Sequence, residues 1–289
     1  MKKPNLFIVG APKCGTTSLC NWIGIHEHIY VPLVKEPYYF AKDLKIGRIN
    51  NVEQYEQLYA GVKEKERVIV DSSTGYLFST TAVPDIIKYA GVDAKFIVML
   101  RNPIDMAYSL HSQIYQLTWE DISDFKKAWF IQDERVAGKS IPKECKEPKV
   151  LQYREWCRIG EQFIRFKDNI CGADYHIIWF DDLKKNSYKE YLKVLNFVNV
   201  DIGDIPDFKI YNQNKVYKSR KMQLIMNRLK KYKHMLGVNK SMSLGRFNWK
   251  VQRREHMSDE MRAILIKEFK EDIHMLGKAT GRDLSEWTK

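Results

Sequence analysis

One octapeptide constrains the fold more than any other part of this sequence. Gly10-Ala11-Pro12-Lys13-Cys14-Gly15-Thr16-Thr17 lies between an apolar, β-branched run, Leu6–Val9, and a helical pattern, Thr17–Ile25. A chain passing from strand to helix in so few residues must turn sharply, and Gly10 and Gly15 allow the turn. Successive amides in such a turn, together with the N-terminus of the helix, form a cradle for an anion. Lys13 adds a mobile positive charge, and Thr16, Thr17 and Ser18 add hydroxyl donors. The likeness to the nucleotide-binding pattern GxxxxGK[ST] is partial, because Thr16 follows the second glycine and the lysine has moved inside the loop. The alternative is a strand–helix turn with no ligand. The coincidence of strand, lysine, glycine, hydroxyl pair and helix argues for phosphate.

The rest of the chain supplies a sheet for this loop. Val68–Val70, Lys95–Leu100 and Tyr175–Phe180 repeat the nearly continuous apolar character of Leu6–Val9, as expected of parallel strands buried on both faces. Helical patterns alternate with them at Pro84–Ala90, Pro103–Tyr115 and Tyr188–Val198. Strand–helix alternation predicts a single α/β domain over residues 1–289, with a parallel sheet flanked by helices. Ligands in such sheets sit at the carboxyl ends of the strands. That rule singles out Gly10–Thr17, Asp71–Thr74, Arg101–Asn102 and Asp181–Asp182. Near the C-terminus, Met257–Leu276 reads as a helix with Ser258 as N-cap, Asp259 and Glu260 in its first turn and Gly277 as its stop.

Charge is unevenly placed. The net charge is +12, but residues 208–254 hold fourteen Lys/Arg and no Asp/Glu, and the remainder carries 34 basic and 36 acidic residues. This stretch reads as a basic, loop-rich insertion with one or two short helices. A solvated surface accounts for such a run, as do an anionic cofactor, an acidic substrate, an anionic membrane or a nucleic acid. With 44% hydrophobic residues the chain can bury a core unaided. No apolar run is long enough to span a bilayer, and the few apolar residues before Gly10 do not read as an export signal. The five cysteines, at 14, 20, 145, 157 and 171, form no CxxC pair, so neither a disulfide framework nor a zinc site is indicated. These readings give the expectation of a cytoplasmic protein with reduced thiols.

The motifs resemble those of the sulfotransferases that use 3′-phosphoadenosine-5′-phosphosulfate (PAPS), in the bacterial and carbohydrate-acting branch. Leu6–Leu19 resembles the family's 5′-phosphosulfate loop, with lysine at the displaced position. Phe96–Pro103 followed by Ser109 resembles its 3′-phosphate motif, in which a strand ends on an arginine and a serine follows one or two turns into the next helix. Lys35-Glu36-Pro37-Tyr38-Tyr39-Phe40 resembles the KEPHFF block, Asp71–Tyr76 the substrate-side strand end, and Gly281–Trp287 a tail of bacterial members. The resemblance implies a P-loop-like fold and PAPS as co-substrate, with 3′-phosphoadenosine-5′-phosphate (PAP) as product and no metal. It implies a small-molecule, lipid or sugar acceptor. Cys14, Gly15, Thr16, Thr17 and Ser18 would bind the 5′ side, while Arg101 and Ser109 would bind the 3′-phosphate. Arg101 would do so with a charged, bidentate fork; its alternative role is a surface salt bridge. Lys218, Ser219 and Arg220 match the family's late cofactor loop, with serine where glycine is expected, and Tyr153 is a weaker cofactor contact.

Catalytic roles follow from the same resemblance. Lys13 is the candidate for stabilising the leaving oxygen, and Glu36 the candidate general base. The alternative for Glu36 is surface pairing with Lys35 or Lys42. His111, two residues beyond Ser109, is the rival base, since histidine suits proton transfer near neutral pH; a structural role is its alternative. His26 and His28 are read as structural. Tyr38, Tyr39, Phe40, Tyr76, Phe78 and Trp119 are candidates for an acceptor pocket, with core packing expected of about half of them. Serine at position 72, where carbohydrate-acting relatives often carry lysine, weighs against an acidic polysaccharide. Two other classes stand beside this one. A P-loop-like kinase is disfavoured, because no lysine follows Gly15 and no clear strand–aspartate pair for a magnesium ion is evident, although Asp71 and Asp181 both end strands. A nucleic-acid-binding protein would use 208–254, where Tyr211, Tyr217, Tyr232, Phe247 and Trp249 interleave with the basic residues, but no known binding module is present.

Overall fold

A computed structural model describes residues 2–47, 49–209, 215–235, 248–251 and 256–289. Five parallel strands form the main sheet: β1 (Leu6–Gly10), β2 (Ile29–Tyr30), β3 (Val68–Ser72), β4 (Lys95–Leu100) and β5 (Tyr175–Trp179). Their order across the sheet is β2-β3-β1-β4-β5, so the strand that carries the glycine loop is central. Every residue of β1 is buried, as the continuous apolar run requires. Phe7 of β1 packs against Phe96 of the neighbouring β4 and against Phe40 from a loop, and Phe96 packs against Phe166 of the helix over residues 159–169. The edge strand β2 escapes the sequence reading because two residues carry no period.

Helices flank the sheet. They are α1 (Thr16–Ile23), α2 (Val52–Gln57), α3 (Ala82–Ala90), α4 (Pro103–Gln116), α5 (Phe125–Phe130), α6 (Gln132–Val136), α7 (Tyr153–Cys157), α8 (Ile159–Asn169), α9 (Phe180–Lys185), α10 (Ser187–Phe197), α11 (Arg220–Met235) and α12 (Asp259–Thr280). The start of α4 is specified locally: Pro103 takes the first position, and the Asn102 side chain accepts a hydrogen bond from the Ile104 amide. Ser258 caps α12 by accepting from Met261 N. This helix runs through Gly277 and stops at Gly281, which takes the left-handed conformation with φ 70°. Gly277 therefore is not the stop that the sequence suggested; nothing in its neighbourhood asks for positive φ, and glycine inside a helix costs only about 1 kcal/mol.

The basic segment departs further from expectation. Residues 210–214, 236–247 and 252–254 lie outside the described residues, and with them Tyr211 and Phe247. Within the described part, the 16-residue α11 and an antiparallel pair, β6 (Lys215–Tyr217) with β7 (Trp249–Val251), replace the loops and short helices read from sequence. Lys, Arg, Met, Leu and Gln are strong helix formers, and no Gly or Pro interrupts them.

Candidate active site

The glycine loop lies where β1 meets its two neighbours. Leu77 N donates to Val9 O at 2.7 Å from the β3 side, and Ala11 N donates to Met99 O at 2.6 Å on the β4 side. Gly10 has no room for a side chain, since a Cβ there would lie 2.4 Å from Thr74 O. Gly15 takes φ 89° as the N-cap of α1, and no side chain caps this helix. The positive end of α1 is thus directed at the loop by backbone alone, the arrangement that favours an anion. Thr16 and Ser18 are buried in the first turn. Cys14 is fully buried, its Sγ 3.4 Å from Pro12 O, and burial pushes its thiol up to about 12; it can serve the loop through its amide and not as a nucleophile.

Arg101 closes the loop from β4. Its guanidinium donates to Lys13 O at 2.9 Å and stacks on Phe180, 4.5 Å from the ring centre. Sequence reading missed Phe180, which it placed in a strand; it opens α9 and braces both Arg101 and the Gly15 turn. Ser109 is buried on α4.

Glu36 sits on the other side of the loop. Its carboxylate accepts from Tyr38 Oη at 2.9 Å and from Thr74 Oγ1 at 3.2 Å, and those two hydroxyls lie 3.0 Å apart. Burial raises the Glu36 carboxyl above its ordinary range, against the pull of these hydrogen bonds and of the charges of Lys13 and Lys35. Glu36 does not pair with Lys42, which is bridged to Asp85. A second carboxylate supports this corner. Asp71, fully buried, accepts from Tyr55 Oη at 2.7 Å, Tyr76 Oη at 2.9 Å and Ser73 Oγ at 3.2 Å, and Ser73 Oγ accepts from Tyr38 N at 3.1 Å. Burial pushes Asp71 up to about 6. Ser73 and Thr74 were legible only as part of a strand end; their side-chain roles depend on the approach of residues 36–38, far away in sequence. Thr16, Thr17, Lys35, Glu36 and Ser72 share one cavity with Val31, Pro32 and Val34.

The remaining predicted site residues do not line that cavity. His111 is buried, with Nε2 donating to the Ile122 carbonyl at 2.9 Å, and its ring packs near Phe125 and Tyr153. Burial lowers its pKa, which keeps it neutral, and the carbonyl holds the Nε2 proton. Tyr153 is buried and donates to Glu120 Oε2 at 2.6 Å. Arg220 reaches the carbonyls of Thr118 and Glu120 at 3.4 and 3.5 Å, beyond the end of α4; Lys218 is exposed, and Ser219 is held by Asn248. The strand-end acids are engaged: Asp182 makes a bidentate pair with Arg282 at 2.6 and 3.0 Å, and Asp181 accepts from Trp287 Nε1 at 3.1 Å. Among the candidate pocket aromatics, Phe40 and Tyr76 are core residues, and Phe78 stacks on Trp156 at 4.1 Å. Among the described residues no group of three or more His, Cys, Asp or Glu could hold a metal ion, and no helix is long and apolar enough to cross a membrane.

Comparisons with known proteins bear on the family and the fold. The family profile of the sulfotransferase domain matches residues 3–277. The carbohydrate sulfotransferase 15 proteins of rat and human are 26% and 25% identical to the chain over 147 residues. The match covers 37% of this chain and 26% of each relative, so the chain spans about a quarter of the length of these curated relatives. The crystal structure of a sulfotransferase from Alicyclobacillus acidocaldarius superposes with a TM-score of 0.75 at 23% identity, covering the whole of both chains. The sulfotransferase domain from the curacin biosynthetic pathway gives a TM-score of 0.51 at 12% identity, over 98% of this chain and all of that one. Both are likenesses of fold.

Proposed function

The chain belongs to the sulfotransferase family and is an enzyme of that type; from that premise we propose that it takes its sulfuryl group from PAPS and delivers it to a hydroxyl or amine of a small-molecule, lipid or sugar acceptor. One observation carries the reading: Thr16 and Thr17 of the anion loop and Glu36 line the same cavity. An anion held on the loop then has its transferable end facing a base.

Each residue has a task in this scheme. Loop amides, Thr16, Thr17 and Ser18 hold the 5′ side of the donor, and Arg101 and Ser109 take its 3′-phosphate. Glu36 accepts the proton of the acceptor hydroxyl as the acceptor oxygen bonds to sulfur. The bond from sulfur to the 5′-phosphate oxygen breaks in line, the electron pair leaves with PAP, and Lys13 balances the charge that develops there. A donor of this electrostatic kind is worth about 3 kcal/mol, a hundredfold or more in rate. Glu36 is preferred to His111 as the base because it faces the loop cavity, whereas the Nε2 proton of His111 is already given to Ile122 O.

Calorimetry with PAP and with ATP tests the donor. PAP should bind and ATP should not; the reverse order overturns the reading in favour of a kinase. The Glu36→Gln variant should retain PAP affinity and lose at least about a thousandfold in turnover, and near-normal turnover would remove Glu36 as the base.

A further inference from the structure

Helix α11 leaves an apolar stripe in water while it turns polar side chains toward its own protein. Gln223 is buried, with its Oε1 accepting from Asn248 Nδ2 at 3.2 Å, while Asn227 Nδ2 reaches Thr118 Oγ1 at 3.4 Å and Arg220 reaches the Thr118 carbonyl. These three polar residues therefore face the protein, while Lys221 is exposed. Met222, Ile225 and Leu229, spaced three and four apart and so on one stripe of the helix, are 44%, 57% and 55% exposed. Single exposed apolar residues need no explanation, but an aligned stripe opposite a buried polar face does. The same 16 residues contain six Lys/Arg and no Asp or Glu.

We propose that α11 is a docking surface for an anionic lipid bilayer, lying in the membrane interface with the Met222–Ile225–Leu229 stripe among the acyl chains. An apolar stripe on a helix that carries several cations and no anion is the chemistry such interfaces select, because apolar burial and attraction to acidic headgroups add. A nucleic acid would use the cations and leave the stripe in water, and a second copy of α11 would bring like charges together. The surface is separate from the cavity between the anion loop and Glu36, so it holds whatever the identity of the donor.

The test is flotation of the full chain with phosphatidylcholine vesicles, with and without phosphatidylserine. Binding should require phosphatidylserine and weaken with added salt. Ile225→Asp with Leu229→Asp should weaken partitioning about tenfold or more, with the thermal midpoint unchanged. The milder pair Ile225→Gln with Leu229→Gln, which keeps good helix formers, should weaken it in the same direction should the aspartates disturb the helix. Absence of binding to the acidic vesicles, equal binding to both kinds, or binding indifferent to both variant pairs overturns the proposal. So does self-association of the chain that these variants abolish, or binding to single-stranded RNA without binding to vesicles.

Discussion

Lys13, Glu36 and Tyr38 hold φ of 64°, 52° and 53° without being glycine. Such conformations cost about 1 kcal/mol or more each and persist where the surroundings over-determine them. Here the surroundings are named: Arg101 on the Lys13 carbonyl, Ser73 on the Tyr38 amide, and Tyr38 and Thr74 on the Glu36 carboxylate. As the proposed base, Glu36 acts only when ionised, so activity should fall as pH drops through its pKa. Burial places that acid limb above the range of a free glutamate. Tyr38→Phe removes a hydrogen bond that favours the ionised form, so the acid limb of the kcat/KM profile should move to still higher pH. An unmoved limb would show that Glu36 does not titrate in that profile. The types and order of these residues were legible in sequence, in the Lys35–Phe40 and Asp71–Tyr76 blocks. The hydrogen bonds between the two blocks were not, because they join residues more than thirty positions apart.

At the scale of elements, local signals did well where the chemistry is local. The Asn102–Pro103 start of α4 and the Ser258 cap of α12 both act within a few residues of where they are written. The start of α8 is different. Its first amides, Gly160 N and Glu161 N, donate to the two carboxylate oxygens of Asp272 at 2.8 and 2.9 Å, from the middle of α12. A carboxylate supplied from another helix does the work of an N-cap and fixes the two helices against each other. Asp272→Ala should cost about 2 kcal/mol in urea unfolding, and Asp272→Asn less, since one acceptor remains. Equal stability of all three forms would mean that water replaces the cap. Helix α11 is not legible in sequence for the opposite reason: Met222, Ile225 and Leu229 do not face the core, so the periodic signal that burial imposes is weak.

Across the whole molecule, the segment after α4 is locked by one buried pair. Arg135 and Glu120, both essentially inaccessible, form two hydrogen bonds of 2.7 Å, and Tyr153 and the amides of Asp121 and Ile122 complete the Glu120 shell. His111 packs against this group, and Arg220 reaches its edge. Arg135→Met strands a buried carboxylate and should destabilise the fold by about 3 kcal/mol or more, read as the free energy of urea unfolding; a loss below about 1 kcal/mol would mean that the carboxylate finds another partner or takes up a proton. The fold class followed from four apolar runs and one loop. This lock did not, because a glutamate, an arginine and a tyrosine spread from 120 to 153 look like surface residues until folding removes their water.

The central position of β1 divides the molecule's inheritance. On one side, β4 and the start of α9 bring Arg101 and Phe180 to the glycine loop. On the other, the turn after β3 brings Thr74 to Glu36 and Tyr38. The two sides share a single strand. A change on the β3 side would therefore reach the Arg101 side only through β1, so the hydrogen bonds around Glu36 and the grip of Arg101 on the loop can be altered one at a time, much as a plug is changed without rewiring the appliance.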